Sequence, residues 1–178
     1  MASIGRILNY NPPAERRIPS QVLATWENGI FLKKEDINRD IKGLRSPQIG
    51  AIYATLSHWE VSSDAATIVM PTGTGKTEVM LSLLIAASCY KTMIIVPTDA
   101  LRSQISNKVA SLGLLADPQF SIVKETVLKP IVGVMSHRPA SSEEAIAFME
   151  QCNVVVTTIS IKIHSNGDCQ SMFSFIRG

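Results

Sequence analysis

The chain has 178 residues, of which 46% are hydrophobic and 18% charged, and its formal net charge is +2. That size and texture describe one folded domain with a sizeable core rather than a disordered chain. A charge so close to neutral gives no electrostatic ground for a nucleic-acid partner, and no apolar run approaches the roughly 18 residues of a membrane span.

The first forty-odd residues differ in texture from the rest. "NYNPPAERRIPS" is polar and rich in proline. "SQVLATWENG" then predicts a short helix, with Ser20 as its cap and Gly29 beyond its end. "LKKEDINRDIKG" concentrates charge and predicts a second solvated helix or a turn. Residues 1–44 therefore read as an accessory N-terminal extension with short helices, and 45–178 as the main domain.

From Ser46 the punctuation is regular. Ser46 and Pro47 are a cap and a first-turn proline, opening a helix over "PQIGAIYATLSHWE". "ATIVM" is a short β-branched run ending in a Pro-Thr-Gly turn and predicts a buried strand. "GKTEVMLSLLIAASCY" is apolar almost all round, as a helix covered on several sides would be. "TMIIVP" predicts a strand, and Thr98 or Asp99 caps a helix over "ALRSQISNKVASL" that Gly113 closes. "PIVGVM" predicts another strand. Ser141 and Glu144 stand at capping-box spacing before a helix over "SSEEAIAFMEQC". "NVVVTTI" has the unbroken valine run of a strand buried on both faces. Short apolar strands alternating with helices imply an α/β fold, a parallel sheet flanked by helices, with ligands held at the carboxyl ends of the strands.

Three cysteines, Cys89, Cys152 and Cys169, show no Cys-x-x-Cys spacing. The pattern argues against a disulfide framework or a zinc site and fits a reducing cytoplasm. Cys89 and Cys152 end apolar runs, where a small buried thiol is expected.

The run "MPTGTGKT" carries the clearest chemistry. Gly73 and Gly75 allow a tight turn that points successive backbone N–H groups inward and lets a phosphate approach closely. A helix starting near Gly75 adds its positive dipole end at the same place. Thr72, Gly73, Thr74, Gly75, Lys76 and Thr77 form the candidate phosphate cradle. Lys76 would contact the β- and γ-phosphates of ATP, and the Thr77 hydroxyl would reach Mg²⁺. These two are the candidate catalytic residues. The strict phosphate-loop pattern has glycine where Met70 stands.

"MPTGTGKT" resembles the first motif of superfamily-two helicases and translocases, which often replace that glycine and carry Pro-Thr-Gly. Upstream, Arg45 and Gln48 in "LRSPQIGAI" look like the family's Arg-x-x-Gln segment. The resemblance implies that Gln48 reads the adenine edge with an amide that both donates and accepts; on the residues alone it is equally a surface glutamine of an amphipathic helix. Downstream, "IIVPTDALRSQI" resembles the family's motif Ia, with Pro97, Thr98, Leu101 and Gln104 at the matching positions. "VVVTTIS" looks like its later Thr-Thr motif. The resemblance implies nucleic-acid contacts at Thr98, Thr157 and Thr158, with Arg102, Lys108 and Lys162 as nearby basic groups. Each has a plainer alternative as a helix cap, a strand end or a solvated charge. The match covers about residues 44–165 and is nearest to the DEAD-like motor subunits of type III restriction enzymes. It implies a partial RecA-like P-loop NTPase domain binding ATP and Mg²⁺ and acting on nucleic acid, with DNA favoured over RNA.

The family also needs an Asp-Glu pair after a buried strand, one acid for the Mg²⁺ and one for the attacking water. Asp99 fits a helix cap, Glu125 follows an unconvincing strand, Glu143 and Glu144 open a helix, and Asp168 lies in a turn. None supplies the pair. The expectation is thus an incomplete motor domain, ending at Gly178 near the point where that pair is due, which binds ATP and hydrolyses it poorly alone. A second chain could supply the missing half. The alternative is a non-catalytic nucleotide- or nucleic-acid-binding module that acts through a partner chain.

Overall fold

A computed structural model describes residues 4–161 and the backbone of Ser171–Ser174. Lys162, Asp168 and Cys169 lie outside the described residues. The chain divides into two compact units. The first comprises Met1–Thr25, Cys89–Leu112 and Leu128–Gly178, and the second Trp26–Ser88 and Gly113–Val127. This partition does not follow the expected boundary at residue 44, because the first 25 residues belong to the unit that holds the sheet.

The first unit is built on a five-stranded sheet in the order β1-β3-β4-β2-β5. Its strands are β1 (Gly5–Leu8), β2 (Thr92–Val96), β3 (Val132–Met135), β4 (Val154–Thr158) and β5 (Ser171–Ser174). β2, β3, β4 and β5 run parallel, as expected from their alternation with helices. β1 departs from the expected all-parallel sheet. It pairs antiparallel with β3, Gly5 opposite Met135 and Leu8 opposite Val132. An antiparallel edge strand needs no crossover helix, so nothing in the helix-strand alternation announces it.

The valine run of β4 is buried throughout, flanked by β3 on one side and β2 on the other. Its side chains therefore meet covered surface on both faces. The other helices of this unit are α1 (Pro19–Ala24), α4 (Asp99–Ser111) and α5 (Ser142–Glu150). α1 starts earlier than expected, with Ile18 rather than Ser20 as its cap and Pro19 in the first turn, and it ends well before Gly29. Thr98 caps α4 by accepting from the Leu101 N–H at 3.3 Å, and Leu112 closes it in the left-handed region one residue before Gly113. Ser141 accepts from the Glu144 N–H at 3.3 Å, while Glu144 reaches back to the Ala140 N–H at 2.6 Å, one residue before a standard capping box.

Two polar residues tie this unit together. Buried Asn153 accepts from the Ile131 N–H at 3.1 Å and donates to the Pro19 carbonyl at 2.8 Å. Lys91 closes the C-terminus of α5 by donating to the carbonyls of Met149 (2.9 Å) and Cys152 (2.8 Å), where a cation complements the last-turn carbonyls. Partial burial lowers the Lys91 pKa.

The second unit contains α2 (Ser46–Val61) packed on α3 (Lys76–Ala86). α3 is buried on every side from Glu78 to Ile85, which explains an apolar run with no polar stripe. Trp26, Leu44, Ile52, Leu115 and Ile122 are also in this core. The charged segment over 33–44 forms a 3-10 turn at Ile37–Arg39 between short bridges, Lys34 to Leu44 and Asp36 to Ile41, rather than a full helix.

One expected strand is absent. Residues 66–70, "ATIVM", make no ladder, and Ile68 and Val69 are exposed. β-branched residues favour an extended backbone, but a strand exists only where a neighbouring strand pairs with it.

Candidate nucleotide-phosphate site

The loop from Met70 to Thr77 joins this unpaired segment to α3. Pro71–Thr74 form a turn closed by Thr74, whose hydroxyl donates to the Pro71 carbonyl at 2.6 Å. Gly73 and Gly75 have φ values of 80° and 85°. Only glycine adopts this left-handed backbone without strain. At Gly75 there is a second reason: an added Cβ would lie 2.0 Å from Gln48 Nε2 and 3.0 Å from Glu78 Oε2. Gly75 caps α3, so Lys76 begins the helix and its N–H has no partner four residues earlier.

The loop is braced from the start of α2. Arg45, not Ser46, is the residue preceding α2, and Gln48 Oε1 accepts from the Arg45 N–H at 2.7 Å. Gln48 Nε2 donates to the Gly75 carbonyl at 3.2 Å. Arg45 Nη1 donates to the Gly73 carbonyl at 3.3 Å. Gln48 is buried, at 5% exposure, so the amide expected to face a base is turned into the protein and engaged at both ends.

Lys76 and Thr77 are half-buried, and among the described residues no carboxylate pairs with Lys76. A lysine ammonium with no ion-pair partner beside an uncapped helix N-terminus fits a phosphate group. The fit to a metal is narrower. The described residues hold no cluster of three or more His, Cys, Asp or Glu, so Mg²⁺ would arrive with the nucleotide and meet Thr77. Glu78 was not anticipated from the sequence. It is a buried carboxylate in the first turn of α3, where the helix dipole favours an acid. Its signal was its place directly after Gly-Lys-Thr.

The structure thus gathers Gln48, Thr72, Gly73, Thr74, Gly75, Lys76 and Thr77 in one unit. The residues expected at nucleic acid lie in the other unit and are structurally committed there. Thr98 is the cap of α4. Arg102 pairs with Asp99 at 2.8 Å, and its Nε is buried with no hydrogen-bond partner. Thr157 and Thr158 lie within β4 rather than just past it, and both are buried. The Thr157 hydroxyl makes no hydrogen bond. Among the described residues no helix is long and apolar enough to cross a membrane.

Residues 41–168 match the family described as "Type III restriction enzyme, res subunit". No curated protein and no solved structure matches the chain. The matched span contains the brace at Arg45 and Gln48, the phosphate loop, Thr98 and the Thr157-Thr158 pair.

Proposed function

Since the chain belongs to the type III restriction enzyme res subunit family, whose members carry an ATP-dependent, helicase-like motor domain, we propose that Thr72–Thr77 hold the phosphates of ATP. The observation that carries this reading is the helix start at Lys76. There an ammonium without an ion-pair partner, an unpartnered backbone N–H and two glycines of positive φ meet. Lys76 supplies a point charge to the outer phosphates, and the Thr77 hydroxyl meets the Mg²⁺ that accompanies them. ATP and Mg²⁺ are the general partners of the family.

Hydrolysis needs more than a cradle. An acid must hold the metal through water and another must orient the attacking water. β4 ends in Thr157 and Thr158, and the described acids other than Glu78 fall in caps, turns and exposed positions. We therefore read this chain as one that binds ATP well and turns it over slowly by itself. Nucleic acid is the family's partner, and within it we favour DNA and a cytoplasmic setting. The other reading, a non-catalytic module acting through a partner chain, draws on the same shortage of acids.

The test is the affinity for Mg²⁺–ATP with and without Lys76→Ala, paired with turnover by the isolated chain. A loss of at least about tenfold is expected when a charge-assisted contact goes. Unaltered affinity would sink the phosphate-loop reading, and fast turnover by the chain alone would sink the claim of slow hydrolysis.

A further inference from the structure

We propose that Gln48 is a positioning residue of the phosphate loop and that it does not select the nucleotide base. The inference rests on the reading of Thr72–Thr77 as a phosphate site and concerns what holds that site in shape.

Three observations carry it. Gln48 uses both ends of its amide inside the protein, Oε1 accepting from the Arg45 N–H at 2.7 Å and Nε2 donating to the Gly75 carbonyl at 3.2 Å. The same carbonyl accepts the first helical bond of α3, from the Val79 N–H at 3.2 Å, so its two lone pairs are both used. Finally, Gly75 has no room for a Cβ, because Gln48 Nε2 occupies that space. A glutamine whose amide served the base would have to leave these bonds and its buried position.

The brace has a clear electrostatic use. An anion site needs N–H groups facing the ligand and carbonyl oxygens facing away. Because a trans peptide points its C=O and N–H in opposite directions, holding the Gly75 carbonyl aims the Lys76 N–H outward from the helix start. Arg45 treats the Gly73 carbonyl in the same way, at 3.3 Å. Gln48 and Arg45 are three residues apart at the start of α2, on one face, so a single helix end presents both donors. The two carbonyls are held away from the approaching phosphate before any nucleotide arrives.

Base reading and loop bracing make opposite demands on a substitution. Gln48→Glu keeps an acceptor for the Arg45 N–H and so preserves the start of α2, but it cannot donate to Gly75. Gln48→Met removes both bonds without adding charge, and it separates the lost brace from repulsion between a carboxylate and phosphate. The experiment measures the affinities of the full chain and both variants for ATP, GTP and inorganic tripolyphosphate, with the melting temperature of each protein. Bracing predicts that all three ligands weaken by a common factor, about fivefold to tenfold for one lost hydrogen bond and its neighbour. It also predicts that Gln48→Glu melts close to the parent. A loss confined to ATP, with tripolyphosphate unaffected, would overturn the proposal and make Gln48 a base reader. Unchanged affinity for all three ligands in a folded variant would overturn it as well. Failure of the parent chain to bind tripolyphosphate or ATP would instead defeat the phosphate-site reading on which the proposal stands.

Discussion

Arg45 Nη1 donates to the Gly73 carbonyl at 3.3 Å, tying the residue before α2 to the middle of a loop 28 positions later. The contact is solvent-exposed, so its energetic weight is modest while its geometric effect is specific. Arg45→Ala should weaken Mg²⁺–ATP by about twofold to fivefold with little change in melting temperature, as expected for an exposed charged contact. Calorimetric titration checks the affinity. A drop of more than a hundredfold would mean that Arg45 meets the nucleotide directly.

Thr157 offers a contrast, because its hydroxyl is buried without a partner. Thr157→Val replaces that hydroxyl with a methyl of similar shape. The variant should be as stable as the parent or more stable by about 1 kcal/mol, the order of an unmade buried hydrogen bond. Chemical denaturation reads the stability, and a gel-shift titration reads polynucleotide binding, which should not change. Weaker binding by a fully folded Thr157→Val chain would restore Thr157 as a nucleic-acid ligand.

Cys152 gives a pH signature. Its thiol donates to the Phe148 carbonyl at 3.2 Å, and burial pushes its pKa up from 9.0 to about 11, against the pull of the Lys91 ammonium. A folded-state pKa above the unfolded value means that the unfolded chain gives up the proton first. The contribution is therefore complete below pH 9 and lost as pH rises towards 11. The loss attributable to this thiol is on the order of 2 kcal/mol across that window. Lys91, whose pKa is lowered by burial, contributes in the opposite sense as pH approaches its ordinary value of 10.5. Comparing urea unfolding of the parent and Cys152→Ala from pH 8 to pH 11 isolates the thiol. The variant should show the shallower fall, and equal slopes would contradict the assignment.

Much of the first unit was legible because its signals are local. The valine run of β4 and the Ser141 and Thr98 caps depend on a few neighbouring residues, and they fall where periodicity and capping rules put them. β1 was not legible, since "GRIL" is a short run whose strand character comes from pairing with β3 more than a hundred residues away. "ATIVM" failed for the opposite reason: its propensity is local, but a ladder is not.

At the site, the glycines and Lys76 were readable because the phosphate loop is one continuous segment with a chemical reason for each residue. The roles of Arg45 and Gln48 were not. Their residue types suggested a base contact, whereas the hydrogen bonds to Gly73 and Gly75 are long-range and appear only once α2 is packed on α3. Thr157 and Thr158 show the same limit, because a one- or two-residue difference in where β4 ends decides whether a hydroxyl is offered or buried.

The central claim, that ATP phosphates sit on Thr72–Thr77, is tested most directly by following backbone amide resonances while Mg²⁺–ATP is titrated into the labelled chain. The account predicts saturable shifts concentrated at Gly73, Thr74, Gly75, Lys76 and Thr77, reproduced by inorganic tripolyphosphate and abolished by Lys76→Ala. Saturable shifts elsewhere, with the loop amides silent, would contradict it.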